Sequence, residues 1–322
     1  RELRYQTDGT FGGIGVILNH DGDRLVIMKV LEGTPGMRAG LRRGDVIKAI
    51  DGRSTEKMSS EEAAAAIRGP EGTKVTLTIA RGAGEGEKAF KVTITRAKIK
   101  LPSVEWEFIE VPRAGKIAFI TLSQFAERTP SEIEEALRAA DRAGARGLIL
   151  DLRYNPGGLL DAAIEVASKF LDGGVVMYMV ARNHIRKPFY AEPHVPREYP
   201  MVILVNQWSA SASEIVAGAL KDRGVATLVG AKTFGKGVVQ EIVPLSGGGA
   251  LSVTVAKYLT AGGRSIDKIG IVPDVVVDLP GAMERALKTG NIEELQRLDR
   301  LQRERALEVL RSRAALSAAA AS

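Results

Sequence analysis

The 322-residue sequence contains no cysteine, which excludes disulfide bonds, thiol nucleophiles and thiolate metal sites. Aromatic residues make up only 5% of the chain, and no basic run alternates with them, so a nucleic-acid partner is not expected. No apolar stretch reaches the ~20 residues of a membrane-spanning helix. The remaining composition, with 45% hydrophobic and 26% charged residues, is typical of a globular protein of about two domains.

Histidine is scarce as well, and this limits the catalytic chemistry that the chain can carry. The three histidines are His20, His184 and His194, and none lies beside a candidate serine. A Ser–His–Asp triad therefore has little support, although residues distant in sequence can meet in a fold. No cluster of histidine, aspartate and glutamate has the spacing of metal ligands, so neither a metal nor another cofactor is expected.

Residues 1–97 alternate short apolar segments with glycine-containing turns, which is typical of a small β-rich domain. One helix is predicted over residues 59–68, where Ser59 or Ser60 can cap the first turn. Residues 13–16 include glycines that would let a ligand approach the backbone closely. The alternative is that the glycines of this unit only form turns.

Residues 98–280 alternate predicted strands with predicted helices, a pattern that favours a parallel sheet. The segment 147–152 is almost entirely apolar, as expected of a strand that is buried on both faces. Predicted helices follow at 159–171 and 213–223. Residues 281–322 are charged, with leucines near helical spacing, and this predicts a C-terminal helix and tail.

A polar turn before the second of these helices offers a nucleophile. Ser211 lies there, within residues 209–214, where the unpaired N–H groups and the dipole of a helix favour negative charge. The N–H of Ala212 can point at an oxyanion, and Gly157, at a similar strand-to-helix turn, can supply a second donor. The serines can equally form a helix cap, a role that Ser213 could fill alone.

Lys236 is the candidate base that would accept the proton of the serine. A lysine acts as a base only when its amine is neutral, and apolar neighbours such as Phe234 and Val238 would favour that form by excluding water. Gln240 follows on the same segment and can hold the amine in position. Lys232 is the rival base, but no neighbouring residue distinguishes it.

Residues 230–236 also match the beginning of a phosphate-binding loop. However, Gly237 stands where that motif needs a serine or threonine hydroxyl for magnesium. The apolar, β-branched residues after it predict a strand, whereas the motif requires a helix. Nucleotide binding is therefore disfavoured.

The order of these motifs resembles the carboxy-terminal processing proteases, also called tail-specific proteases. The first 97 residues resemble a PDZ domain, and the following unit resembles the crotonase and Clp-type proteolytic core. The implied fold is α+β, with an α/β protease core and a helical C-terminal tail. The resemblance rests on segments that follow one another in the family's order: 151–158, 209–214, 235–240 and 270–274.

This resemblance implies a serine endopeptidase with a Ser–Lys dyad that recognises and cleaves near apolar protein C-termini. Ser211 would be the nucleophile, Lys236 the general base and Gln240 its orienting residue. Gly157 and Ala212 would form the oxyanion hole. The PDZ domain would bind the tail carboxylate with backbone N–H groups of one loop: Gly13, Ile14, Gly15 and Val16.

Two further positions carry expectations. Trp208 stands where the family often has glycine, which would narrow the site. Arg68, at the end of the predicted PDZ helix, is a candidate regulatory residue, because in some relatives a PDZ arginine contacts the core and switches activity on. A cation placed at a helix C-terminus is an equally good interpretation of Arg68.

The resemblance also implies the partners and the location of the protein. Its substrates would be proteins or peptides with unstructured apolar C-termini, in the periplasm or another extracytoplasmic space. The sequence begins at Arg1 and shows no signal peptide. An adaptor or lipoprotein partner and a homo-oligomer are compatible with the resemblance, and so is an inactive or partner-dependent peptide-binding scaffold.

Overall fold

The chain divides into two compact units, Arg1–Leu101 and Pro102–Ser322. The boundary lies after residue 101, whereas the sequence predicted it after residue 97. The first unit extends further because the strand Ala97–Lys100 pairs with Thr10–Gly13 inside it. The predicted boundary at residue 280 lies outside the described residues. The computed structural model describes residues 10–21, 23–82, 88–100, 102–112, 114–181, 185–195, 197, 200–244, 250–277, 281–282, 285–286 and 292–320.

The first unit is rich in β-structure, as predicted. Its strands are β1 (Thr10–Gly13), β2 (Val16–Asp21), β3 (Arg24–Val30), β4 (Val46–Ile50), β5 (Arg53–Ser54), β6 (Lys74–Arg81), β7 (Lys88–Thr95) and β8 (Ala97–Lys100). Its helices are α1 (Pro35–Arg38) and α2 (Ser60–Ile67). The main sheet has the order β2-β3-β4-β6-β7, so β2 is an edge strand; β5 pairs with β4, and β1 pairs with β8.

Helix α2 is fixed at both ends by side chains. At its start, the N–H of Glu62 donates to Ser59 Oγ (3.1 Å), and the Ser59 N–H donates to the Glu62 carboxylate (2.8 Å). This reciprocal pair is a capping box, and it shows that Ser59 is the cap of the two serines that the sequence allowed. At its end, the buried guanidinium of Arg96 donates to the carbonyls of Ala66 (3.2 Å) and Ile67 (2.7 Å), which have no partner within the helix.

The second unit contains a mainly parallel sheet and a separate antiparallel sheet. Its strands are β9 (Val104–Val111), β10 (Gly115–Leu122), β11 (Gly147–Asp151), β12 (Val175–Ala181), β13 (Arg186–Tyr190), β14 (Met201–Val205), β15 (Ala226–Gly230), β16 (Val238–Pro244), β17 (Ala250–Thr260) and β18 (Val275–Val276). Its helices are α3 (Thr129–Arg142), α4 (Leu160–Ser168), α5 (Ala212–Asp222) and α6 (Ile292–Ala320). The sheet orders are β18-β15-β14-β11-β10-β9 and β13-β12-β17-β16.

The parallel sheet is buried on both faces because its central strands, β11 and β14, are almost entirely apolar. Leu148 and Leu150 of β11 pack into the core beneath α3, α4 and α5. Ile149, between them in sequence, points to the other face and packs with Ala306 and Leu310 of α6. This alternation is the period of two that a strand imposes. It explains why the continuous apolar run predicted a strand covered on two sides, and it makes the α+β prediction correct.

Helix α6 is part of the second core. Its residues Ala306 and Leu310 are buried, and the absent side chain of Gly147 leaves the space that Leu310 occupies. The predicted C-terminal helix therefore closes one face of the parallel sheet. Among the described helices, α6 included, none has both the length and the apolar character needed to cross a membrane.

The burial of Leu310 predicts that α6 contributes directly to stability. We expect Leu310→Ala to lower the free energy of unfolding by about 2–5 kcal/mol, because it leaves a cavity between α6 and the sheet. Chemical denaturation measures this change. Leu251→Ala is the matched control, since Leu251 is 53% exposed and its truncation should change stability by less than about 0.5 kcal/mol. Equal effects of the two variants would contradict this account of α6.

Candidate active site

Ser211 lies at the turn between β14 and α5 with φ 54° and ψ −115°. This backbone conformation is unfavourable for a residue with a side chain, and such strain persists only where the surroundings enforce it. A strained strand-to-helix turn of this kind presents a serine hydroxyl at the edge of the sheet in other hydrolases. Its position at the start of α5 agrees with the sequence prediction.

The turn that carries Ser211 is joined to the turn after β11, the neighbouring parallel strand. The N–H of Ala210 donates to the Asn155 carbonyl (3.0 Å), and the hydroxyl of Ser213 donates to the same oxygen (2.9 Å). The hydroxyl of Ser209 donates to the carbonyl of Leu152 (2.8 Å). These buried contacts hold the two predicted catalytic turns together at the carboxyl end of the parallel sheet.

Gly157 comes directly against Ser211, the predicted nucleophile. A Cβ atom on this residue would lie 2.8 Å from Ser211 Cβ and 2.9 Å from the Ala212 nitrogen, and its φ is 104°. Both the contact and the conformation require glycine. The Gly157 N–H donates to Asn155 Oδ1 (2.9 Å), whereas the N–H of Ala212 has no acceptor among the described residues. The two predicted oxyanion donors, the N–H groups of Gly157 and Ala212, therefore lie close together. Of the two, only the Ala212 N–H has no hydrogen-bond acceptor among the described residues.

Lys236 lies on the loop between β15 and β16, with a glycine on each side. A Cβ on Gly237 would be 2.6 Å from the nitrogen of Asp267, so this loop can pack closely only as glycine–lysine–glycine. Lys236 itself is half-buried. Phe234 is 63% exposed, and the expectation that it would exclude water from the lysine amine is therefore wrong.

The fully buried carboxylate of Glu214, in the first turn of α5, links the serine turn to the lysine loop. Its Oε2 atom accepts hydrogen bonds from the backbone N–H of Ser211 (2.9 Å) and from that of Lys236 (2.9 Å). Its Oε1 atom accepts from the Thr233 hydroxyl (2.6 Å) and the Gly235 N–H (2.8 Å). Four donors thus saturate a carboxylate that forms no ion pair with any described residue, and they fix the spacing of the two backbones.

The hydroxyl of Tyr258, in β17, makes the matching connection on the carbonyl side. It lies 2.5 Å from the Lys236 carbonyl oxygen and 3.1 Å from that of Ser211. Burial, reinforced by the negative charge of Glu214, raises the pKa of Tyr258, so the hydroxyl remains a donor. The peptide groups on both sides of Ser211 and Lys236 are therefore held by the same two side chains.

The reactive groups themselves are not hydrogen-bonded to each other. Every hydrogen bond that Ser211 and Lys236 make within the described part of the chain involves their backbone atoms. Catalytic hydrogen bonds often form only when substrate is present. The structure thus brings the two backbones together without a hydrogen bond between the Ser211 hydroxyl and the Lys236 amine.

The other predicted residues of the second unit are placed as follows. Gln240 lies in β16 and pairs with Thr254 at a bulge, while its side chain is outside the described part. Lys232, the rival base, is exposed. The strand β16 follows Lys236, as the residues after Gly237 predicted. A phosphate-binding loop would need a helix at this place. Among the described residues, no group of three or more acidic, histidine or cysteine side chains could hold a metal ion.

In the first unit, the loop predicted to bind a carboxylate lies between β1 and β2. Gly15 has φ 79°, and a Cβ there would overlap the side chain of Thr34 at 2.3 Å. In the described part of the chain, no acceptor is found for the N–H groups of Ile14 and Gly15. Arg68 follows the last residue of α2, where its N–H donates to the Ala64 carbonyl (2.9 Å).

Two of the residues that organise this site were not predicted to do so. The sequence indicated only that the serines of residues 209–214 can form a helix cap, and it predicted no contact of Glu214 with Ser211 or Lys236. The contact of Glu214 with Lys236 joins residues that are distant in sequence, as does that of Tyr258 with Ser211. Only the fold, which places β17 beside the lysine loop, brings Tyr258 to the site.

The role of Glu214 can be tested through stability. In Glu214→Gln one carboxylate oxygen becomes an NH₂ group, which would face two N–H or O–H donors and accept from neither. We expect the free energy of unfolding to fall by about 2–4 kcal/mol, measured by chemical denaturation. Glu135→Gln, on the exposed side of α3, is the control and should be near neutral. A Glu214→Gln variant as stable as this control would show that the four contacts do not hold the loops.

Comparison with protein families and known proteins supports these observations. Residues 116–277 match peptidase family S41, and residues 26–81 match the PDZ domain family. A carboxyl-terminal-processing protease of Synechocystis sp. is 44% identical over 280 residues, which are 86% of this chain and 65% of that protein. A probable CtpA-like serine protease of Staphylococcus aureus is 38% identical, with coverages of 84% and 54%.

A solved structure also corresponds to most of the chain. The photosystem II D1 C-terminal processing protease is 32% identical, has a TM-score of 0.54, and is matched over 88% of this chain and 77% of its own. The present chain spans somewhat less than two thirds of the Synechocystis relative and about half of the staphylococcal one. On the family match and these identities, the chain belongs to peptidase family S41 and carries a PDZ domain.

Proposed function

We propose that the protein is a serine endopeptidase that uses Ser211 and Lys236 to cleave protein substrates near apolar C-termini, after its PDZ domain has bound the tail. The observation that carries this proposal is the shared attachment of both residues to Glu214 and Tyr258. A nucleophile and its base must meet repeatedly in one geometry, and two backbones held by common partners supply that constraint. The family membership agrees with it.

In the proposed reaction, Ser211 Oγ attacks the carbonyl carbon of the scissile peptide bond while its proton passes to Lys236 Nζ. The tetrahedral intermediate collapses, the C–N bond breaks, and the leaving amine takes the proton from Lys236. Water then attacks the ester, again giving up a proton to Lys236, and the serine hydroxyl is restored. The cycle consumes one water molecule and releases two peptides.

The negative oxygen of the intermediate needs preorganised donors. The N–H of Ala212, at the start of α5, is unengaged and benefits from the helix dipole. A contribution from Gly157 requires its peptide group to turn away from Asn155 Oδ1, which the conformational freedom of a glycine permits. Gln240 is retained in the proposal as the residue that orients the Lys236 amine.

A second candidate function is a peptide-binding scaffold with a resting catalytic centre. The observation in its favour is that the side chains of Ser211 and Lys236 share no hydrogen bond. The flexible lysine side chain can close this gap by rotamer changes alone, because the backbones are already in place. We therefore rank the peptidase first and let substrate cleavage decide.

Tail binding is proposed for the loop at residues 13–16 and the edge strand β2. An extended peptide can add to a free sheet edge through main-chain hydrogen bonds, and β2 is such an edge beside α2. The unengaged N–H groups of Ile14 and Gly15 would receive its terminal carboxylate. The nearby apolar side chains of Val16 and Leu18 favour an apolar tail.

The proposal also includes four features that the resemblance implies. They are a role for Arg68 in gating activity, an extracytoplasmic location, an adaptor or lipoprotein partner, and a homo-oligomer. The division of the chain near residue 101 supports assigning tail binding to the first unit and cleavage to the second.

Cleavage of an unstructured reporter protein with an apolar C-terminus tests the catalytic assignment. We expect Ser211→Ala and Lys236→Ala each to reduce kcat/KM by about 1000-fold or more at pH 8, with no requirement for added metal or ATP. The matched control is Lys232→Ala, which removes an exposed lysine of the same loop and should leave the rate within about twofold. If Lys232→Ala abolishes cleavage and Lys236→Ala does not, the base has been misassigned. If the wild type binds the reporter and never cuts it, the scaffold becomes the leading function.

Carboxylate capture by the first unit can be measured separately with the Ser211→Ala protein, which should bind without cutting. We expect a tail peptide with a free carboxylate to bind about tenfold or more tightly than the same peptide with a C-terminal amide, because charged acceptors strengthen N–H hydrogen bonds. Isothermal titration calorimetry gives both constants. Equal affinities would rule out recognition of the terminus by the loop at residues 13–16.

A further inference from the structure

We propose that the stacked rings of Tyr154 and Trp208 form a subsite for an apolar side chain of the substrate, within about three residues of the scissile bond. The inference rests on the proposed peptidase function and adds a specificity determinant to it. Tyr154 follows β11 and Trp208 follows β14, and these strands are parallel neighbours. Both residues therefore emerge at the same edge of the sheet as Ser211.

The two rings form a defined surface. Their centroids are 5.2 Å apart with an interplanar angle of 18°, which is a stacked arrangement. Their backbones are held from below by one buried side chain, since the N–H groups of Tyr154 and Trp208 donate to Asn206 Oδ1 at 3.0 and 3.1 Å. A single acceptor thus fixes the relative position of two residues that come from different turns.

The backbone of Tyr154 is strained, and its local conformation does not require an aromatic side chain. Its φ is 63°, a conformation that glycine and asparagine adopt more easily than a bulky side chain. Either of those residues would make the same backbone contacts with less strain. Retention of a tyrosine at a strained position beside a catalytic turn points to a use for its ring.

The surface is accessible and uncharged. Tyr154 keeps 45% of its surface exposed despite the stacking. Burial of its remaining part raises the pKa of the Tyr154 hydroxyl, so the ring stays neutral at physiological pH. The adjacent charge of Arg153 is buried and ion-paired with Asp151 and Asp299. A ligand at the rings therefore meets aromatic carbon, which favours leucine, methionine, phenylalanine and similar side chains.

Chain geometry limits the distance from this surface to the reacting bond. Trp208 and Ser211 are three residues apart in the sequence, so their Cα atoms are at most about 11 Å apart. A substrate strand advances about 3.3 Å per residue. The side chain that rests on the rings therefore belongs to a residue no more than about three positions from the bond that Ser211 attacks.

The test uses variants that remove each ring without creating backbone strain. Tyr154→Asn removes the first ring and places a residue that tolerates the positive φ of this position. Trp208→Gly removes the second ring completely. Tyr154→Phe retains the ring and serves as the conservative variant. The matched control is Trp106→Ala, on the edge strand β9, where Trp106 is also partly exposed (37%). Thermal denaturation of each variant confirms that it is folded.

The substrates are paired reporter proteins with the same tail, carrying either leucine or alanine at each of the three positions on either side of the mapped cleavage site. For wild type we expect leucine at one or more positions to raise kcat/KM about tenfold over alanine. Tyr154→Asn and Trp208→Gly should remove that preference while leaving the alanine substrates within about threefold of wild type. Tyr154→Phe and Trp106→Ala should keep the preference.

The outcomes separate the inference from the proposed function. If wild type cleaves and both ring variants lose activity equally on leucine and alanine substrates, the rings only support the fold and the subsite is rejected. If the preference persists in both variants, another surface provides it. If wild type cleaves none of the reporters, the peptidase proposal fails before the subsite is tested.

Discussion

The arrangement of the two proposed catalytic residues depends on one buried carboxylate. A single oxygen of Glu214 accepts the backbone N–H groups of both Ser211 and Lys236. Burying a charged group is costly unless hydrogen bonds satisfy it, and here four donors do so without an ion pair to any described residue. Because the carboxylate is stable only when all four donors converge on it, the serine turn and the lysine loop can adopt their native conformations only together.

Tyr258 holds the same two residues, Ser211 and Lys236, through their carbonyl groups instead of their N–H groups. Its hydroxyl donates toward carbonyl oxygens of the same two residues, and burial next to the Glu214 charge opposes its ionisation. An acceptor thus serves the N–H groups and a donor serves the carbonyls. The two reactive side chains make none of these contacts, so the scaffold can be rigid while the serine hydroxyl and the lysine amine remain free to move during a reaction.

Local patterns in the sequence predicted many of the elements, although not the strands β9 and β13, and they were less informative about the connections between turns. The apolar run around Leu148 identified a strand buried on two faces, whereas the serines of residues 209–214 indicated a helix cap and no contact of Ser211 with Glu214. The contact of Tyr258 with the lysine loop joins strands through tertiary structure, for which the sequence has no period or spacing. The expectation for Phe234 failed for a related reason, since whether an apolar residue faces the amine or solvent depends on how the loop packs.

The strained turn at Tyr154 illustrates how distant packing supports the site. On one side of it, the Arg153 guanidinium binds Asp151 at the end of β11 and also Asp299 and Gln302 of α6. On the other side, the carbonyl of Asn155 accepts from the nucleophile turn. With both neighbours fixed by buried hydrogen bonds, the positive φ at Tyr154 cannot relax without breaking several of them. Helix α6, for which the sequence predicted no role beyond a C-terminal helix and tail, therefore helps to hold the Tyr154 ring beside the turn that carries Ser211.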